Sequence, residues 1–70
     1  METPFRILLN GEPRDLPAGA DITALLEREG LAGRRVAVEV NGEIVPRGRH
    51  GGHGLHEGDR VEVVHALGGG

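Results

Sequence analysis

Three segments of the chain alternate apolar and polar residues with the period of two that is typical of a half-buried β-strand. They lie at residues 5–10, 36–41 and 60–67. Because successive side chains of a strand point to opposite faces, this alternation places the apolar side chains on one face, which can be buried in a core. The pattern therefore predicts three strands that belong to a sheet with a single buried face.

An Asn-Gly pair follows each of the first two strands, at residues 10–11 and 41–42. Both residue types tolerate a positive φ, so Asn-Gly after an extended segment is a strong signal for a tight β-hairpin. We expect the returning strands at residues 14–16 and 43–45. The sequence thus predicts two hairpins, each made of neighbouring segments.

A short helix is predicted between the two hairpins, over residues 22–29. Asp21 is a favourable N-cap residue, and Gly30 suits the left-handed conformation that often ends a helix. Ile22, Leu25 and Leu26 fall on one stripe of this helix, which can dock on a sheet.

The order of these elements (hairpin, helix, hairpin, late strand) predicts an α+β fold. The simplest packing is a mixed sheet of four or five strands with one helix across one face, the β-grasp arrangement of ubiquitin-like domains. We expect this domain to span residues 1–67 and to be followed by a flexible tail at 68–70. The side chains predicted to face the helix are Phe5, Ile7, Leu9, Val36, Val38, Val40, Val61 and Val63.

Leu8 and Val64 then point to the open face of the sheet. Exposed apolar residues can mark a docking surface, although single surface Leu and Val residues are also common. Because they stand near the predicted tail, we expect Leu8, Val64, Ala66 and Leu67 to form a partner-docking surface.

Composition excludes several classes of function. Eight basic against eleven acidic residues give a net charge of -3, and Phe5 is the one aromatic residue, which argues against nucleic-acid binding. A chain of 70 residues has too small a core to enclose a deep cofactor cleft. The absence of Cys removes disulfides and thiol chemistry, and no apolar run is long enough to cross a membrane. We predict a cytoplasmic protein that is monomeric when free and is not itself an enzyme.

Three histidines, His50, His53 and His56, are spaced by three in a Gly-rich stretch. Imidazoles can bind zinc, copper or nickel, but a flexible loop makes a poor preorganised metal site. We predict that residues 47–54 form an irregular loop, that these histidines are exposed to solvent, and that they form no metal site.

The sequence ends on Gly68, Gly69 and Gly70. Glycine has no side chain to bury, so this segment is predicted to extend beyond the fold, where it could enter a channel that any Cβ would block. A terminal carboxylate is ionised at neutral pH and is a poor electrophile. It would react after activation, for instance as an acyl-adenylate made by a partner that binds ATP. The alternative is an inert end.

Three segments carry a resemblance to a known family: FRILLNGE at 5–12, VAVEVNGEIVPRGRH at 36–50 and EGDRVEVVHALGGG at 57–70. Together they resemble the ThiS family of sulfur carrier proteins of thiamine biosynthesis. The resemblance implies that the Gly70 carboxylate is adenylated and then converted to a thiocarboxylate, with Gly69 and Gly68 as its tail.

The same resemblance implies the partners. A ThiF-like adenylyltransferase would use ATP and magnesium, a donor such as a cysteine desulfurase would supply sulfur, and the thiazole synthase ThiG would accept it. The chain itself would need no catalytic residue and no bound cofactor. Two alternatives stay open: a carrier of the same fold for molybdopterin synthesis or tRNA thiolation, and a protein-binding module with an inert tail.

Overall fold

The computed structural model describes residues 2–65. Five strands, one α-helix and one 3₁₀ helix make up this part of the chain. In order they are β1 (Phe5–Leu9), β2 (Glu12–Leu16), α1 (Ile22–Arg28), β3 (Val36–Val40), β4 (Glu43–Val45), the 3₁₀ helix (Arg47–Gly52) and β5 (Arg60–His65).

The strands form one sheet in the order β2-β1-β5-β3-β4. β1 runs parallel to β5, and every other neighbouring pair is antiparallel. The strand nearest the end of the described chain therefore lies in the middle of the sheet, between the two hairpins. This mixed five-stranded sheet with one main helix is the β-grasp fold, which confirms the predicted fold class.

Both Asn-Gly turns have the predicted geometry. The φ angles are 51° at Asn10, 84° at Gly11, 52° at Asn41 and 88° at Gly42. A two-residue hairpin turn with positive φ at both positions matches the twist of the strands that it joins. The conformation of each hairpin turn thus follows from the preferences of two adjacent residues.

The helix begins at Ile22 as predicted and ends at Arg28, one residue before the predicted end. Oδ1 of Asp21 accepts a hydrogen bond from the N–H of Ala24 at 2.8 Å, and Gly30 has a φ of 74° just beyond the helix. Ile22, Leu25 and Leu26 are buried. Their stripe packs on the sheet and closes the core over one face.

The core lies between α1 and the sheet. Of the residues predicted to face the helix, Phe5 and Val36 are partly buried and pack against the core, and the others are buried. The buried apolar residues are Ile7, Leu9, Leu16, Ala20, Ile22, Leu25, Leu26, Val38, Val40, Val45, Leu55, Val61 and Val63.

The stretch at residues 47–54 differs from the prediction. It contains the 3₁₀ helix Arg47–Gly52, and His50 is buried with 6% of its surface exposed. His50 Nε2 lies 3.0 Å from the backbone oxygen of Val45. The prediction that His50 is exposed to solvent was wrong, because the 3₁₀ helix packs on α1 and its turn places this imidazole beneath the surface. His56 is exposed and His53 is partly buried.

We expect His50→Ala to lower the free energy of unfolding by about 2 kcal/mol, since it removes a buried side chain and a hydrogen bond to a backbone carbonyl. His56→Ala is the matched control, and its exposed side chain should contribute less than about 0.5 kcal/mol. Urea unfolding of the two variants and the wild type measures the difference. Equal effects from the two substitutions would contradict a structural role for His50.

Candidate functional site

The face of the sheet opposite α1 carries the candidate docking residues. Leu8 is 39% exposed and Val64 is 58% exposed, as expected for side chains that point away from the core. Ile44 is 70% exposed on the same face, because it pairs with Glu39, which pairs in turn with Glu62. Ile44 was missed in the sequence because β4 has three residues, too few for alternation to show which of two adjacent apolar residues points inward.

The register places these apolar residues apart from one another. Leu8 lies beside Arg60, near the beginning of β5, whereas Val64 lies beside Ala37, near its end. Ile44 lies on β4, which is the edge strand farthest from β2. The open face therefore presents separate apolar contacts across its width, not one continuous apolar patch.

Acidic residues occupy the space between these contacts. Glu39 and Glu62 are directly opposite each other in the register of β3 and β5. Directly opposed residues in an antiparallel pair have Cβ atoms about 5 Å apart, a spacing at which two like charges disfavour each other. Two carboxylates thus lie at the centre of the open face, with the exposed side chain of Arg60 two residues from Glu62 on the same face.

An ion pair lies toward the β2 edge of the same face. Arg6 Nε lies 2.7 Å from Asp15 Oδ1 across the β1–β2 pair. The hydrogen bond from the Arg6 side chain, together with its positive charge, lowers the pKa of the Asp15 carboxyl below its usual value. Both side chains are well exposed, so the pair is a modest element of the surface.

The other predicted site residues fall beyond this part of the structure. Ala66, Leu67 and the glycines Gly68, Gly69 and Gly70 lie outside the described residues. Among residues 2–65, no three His, Asp or Glu side chains are grouped so that they could hold a metal ion. In the same part of the chain, no helix has the length and apolarity needed to cross a membrane.

A mixed sheet covered by a helix on one face and open on the other defines a ubiquitin-like β-grasp domain. The chain belongs to the ThiS family, whose pattern it matches over residues 7–70. Its fold is similar to the crystal structure of the thiamine biosynthesis protein ThiS from Geobacter metallireducens, with a TM-score of 0.76 and 33% sequence identity. That match covers 94% of this chain and all of the other.

Two curated relatives are larger proteins. The chain is 48% identical over 66 residues to a thiazole synthase of Magnetococcus marinus and 40% identical over 66 residues to a thiazole synthase of Paramagnetospirillum magneticum. Each match covers 94% of this chain but 20% of the relative. The chain thus spans about one fifth of the length of these relatives.

Proposed function

We propose that this protein carries sulfur for the formation of the thiazole ring of thiamine, and that Gly70 is the residue that is modified. The observation that carries the proposal is the family match, which runs to residue 70 and so includes Gly68, Gly69 and Gly70. The similarity to a ThiS structure along nearly the whole chain supports it. The domain acts as a carrier and a co-substrate of its partner enzymes, without catalytic residues of its own.

The proposed chemistry takes place on the Gly70 carboxylate in two steps. In the first, a carboxylate oxygen attacks the α-phosphorus of ATP, pyrophosphate leaves, and an acyl-adenylate forms on a ThiF-like adenylyltransferase. In the second, hydrosulfide or an equivalent sulfur nucleophile attacks the carbonyl carbon, the bond to the adenylate oxygen breaks, and AMP leaves. The product is a thiocarboxylate, whose sulfur is a better nucleophile than the original oxygen.

The thiazole synthase is the proposed acceptor of this sulfur. The two relatives named thiazole synthase support this partner, because one fifth of each is similar to this chain and the remainder lies outside the match. A cysteine desulfurase is the proposed physiological source of sulfur. The open sheet face, with Leu8, Ile44 and Val64 exposed, is the proposed surface on which these partners dock in turn.

Intact-mass analysis tests the proposal directly. The protein is incubated with a ThiF-like adenylyltransferase, ATP, magnesium and hydrosulfide, and we expect its mass to rise by the difference between sulfur and oxygen. Fragmentation should locate the change on Gly70, and omission of ATP should prevent it. An unchanged mass with an adenylyltransferase that modifies its own ThiS protein would count against the proposal.

Transfer to a thiazole synthase separates the pathways that share this fold. The thiocarboxylate form should lose its sulfur when it is incubated with a thiazole synthase and the remaining thiazole precursors. Sulfur transfer to a molybdopterin synthase or to a tRNA-thiolating enzyme instead would assign the carrier to one of those pathways.

A further inference from the structure

β5 and the residue before it, Asp59, accept backbone hydrogen bonds along the edge that faces β1. The N–H of Leu8 donates to the backbone oxygen of Asp59 at 2.9 Å, and the N–H of Asn10 donates to the backbone oxygen of Val61 at 2.9 Å. β1 ends at Leu9 and the chain turns away into the hairpin, whereas β5 continues to His65. The backbone of β1 thus stops before β5 does.

The side chain of Asn10 continues this series to Val63, two residues beyond Val61. Oδ1 of Asn10 accepts a hydrogen bond from the N–H of Val63 at 2.9 Å, and Nδ2 donates to the backbone oxygen of Val63 at 3.2 Å. A carboxamide has the same acceptor and donor groups as a peptide unit. One side chain therefore satisfies both backbone groups of Val63, in the way that a longer β1 would.

Asn10 consequently has two roles in the structure. Its φ of 51° makes the first hairpin turn, a role that glycine fills equally well. Its amide bonds to Val63, 53 residues later in the chain, and glycine cannot make these bonds. A substitution by glycine therefore separates the two roles.

Asn41, in the second hairpin turn, holds the other end of β5. Its Oδ1 accepts a hydrogen bond from the N–H of Arg60 at 2.9 Å, and its own N–H donates to the backbone oxygen of Arg60 at 2.7 Å. Nδ2 of Asn41 donates to Asp59 Oδ1 at 3.0 Å. Asn41 thus contacts the beginning of β5, and Asn10 contacts the part of β5 that leads toward Gly70.

We propose that Asn10 is a positioning residue for sulfur loading: it holds Val63 on the β1 side of β5 and, together with the pairing of β5 with β3, fixes the point from which the chain continues toward Gly70. This inference rests on the proposed function. Without the Asn10 side chain, β5 is held beyond Val61 by its pairing with β3 alone, through Val38 with Val63 and Val36 with His65. The strand that leads to the Gly70 carboxylate is then fixed on one side instead of two. The effective concentration of the carboxylate in the active site of the adenylyltransferase then falls, because a reacting group must be held near its attack geometry.

The experiment compares Asn10→Gly with Asn41→Gly. Both variants keep a residue that adopts positive φ without strain, and both lose side-chain hydrogen bonds to β5. For Asn10→Gly, we expect amide hydrogen exchange at Val63 to be about tenfold faster, because its N–H loses its partner. Asn41→Gly should leave the exchange at Val63 near the wild-type rate.

Steady-state formation of the thiocarboxylate is the functional readout, with the ThiF-like adenylyltransferase, ATP and hydrosulfide. Asn10→Gly should lower kcat about fivefold because fewer bound carriers present the carboxylate in an attack geometry. The KM for the carrier should stay within about twofold. Leu8, Ile44 and Val64 are unchanged, so the carrier should bind the adenylyltransferase as tightly as the wild type does. Asn41→Gly should keep the wild-type kcat although it loses a comparable number of hydrogen bonds.

Each outcome has a separate meaning. A wild-type kcat for Asn10→Gly, or an equal fall in kcat for both variants, overturns the positioning role of Asn10. A wild-type protein that acquires no sulfur removes the proposed function itself and is recognised before any variant is compared. Should Asn10→Gly fail to fold, Asn10→Asp serves in its place, since it tolerates the turn and lacks the Nδ2 donor; it should show a smaller fall in kcat, and an unchanged kcat would again overturn the inference.

Discussion

A carrier with one alanine appended after Gly70 is expected to form no thiocarboxylate. The carbonyl of Gly70 would then belong to a peptide bond, which offers no carboxylate oxygen to attack ATP. The new terminus would carry a Cβ, which a channel shaped for glycine excludes. The measurement is the intact mass after incubation with the adenylyltransferase, ATP and hydrosulfide, and we expect the signal of the sulfur-containing form to disappear.

The matched control for this extension is an alanine placed before Met1, which adds the same mass and leaves Gly70 unchanged. This control should acquire sulfur at the wild-type rate. Binding of both variants to the thiazole synthase, with no sulfur acquired by either of them or by the wild type, would favour a binding module with an inert tail. Sulfur acquisition by the variant extended after Gly70 would contradict the assignment of Gly70, because the sulfur would then be carried by the added alanine.

Val64→Asp, Ile44→Asp and Leu8→Asp are each expected to weaken binding to the thiazole synthase by about tenfold or more. Each substitution replaces an exposed apolar contact by a charge that must lose its water when the surface docks. The side chains are exposed in the free protein, so the free energy of unfolding should change by no more than about 1 kcal/mol. Isothermal titration calorimetry measures binding, and urea unfolding measures stability.

Ala32→Asp provides the control for these three substitutions. Ala32 is exposed in the loop that follows α1, so the variant adds the same charge at a position away from the open face of the sheet. It should bind the synthase as the wild type does. Equal weakening by Ala32→Asp would indicate an effect of total charge, and unfolding of Val64→Asp would mean that Val64 supports the core instead of a docking surface.

The elements that the sequence predicts well are those decided by close neighbours in the chain. The two hairpins follow from Asn-Gly between extended segments, because positive φ at both residues is a local property. The helix follows from the Asp21 cap, its apolar stripe and Gly30. The period of two also identifies which side of β1, β3 and β5 is buried. The modification of Gly70, which the tail and the family resemblance suggest, stays a prediction that experiment can test.

Tertiary structure decided what depends on distant partners. Because β5 lies beside β1 in the sheet, the side chain of Asn10 can bond to the backbone of Val63, which gives Asn10 a second role. Packing of the 3₁₀ helix on α1 buries His50, although its Gly-rich surroundings indicate an exposed loop. Strand pairing also places Ile44 on the open face. Local sequence determines the shape of each element, whereas these three roles arise because the folded sheet brings together residues that no short-range pattern connects.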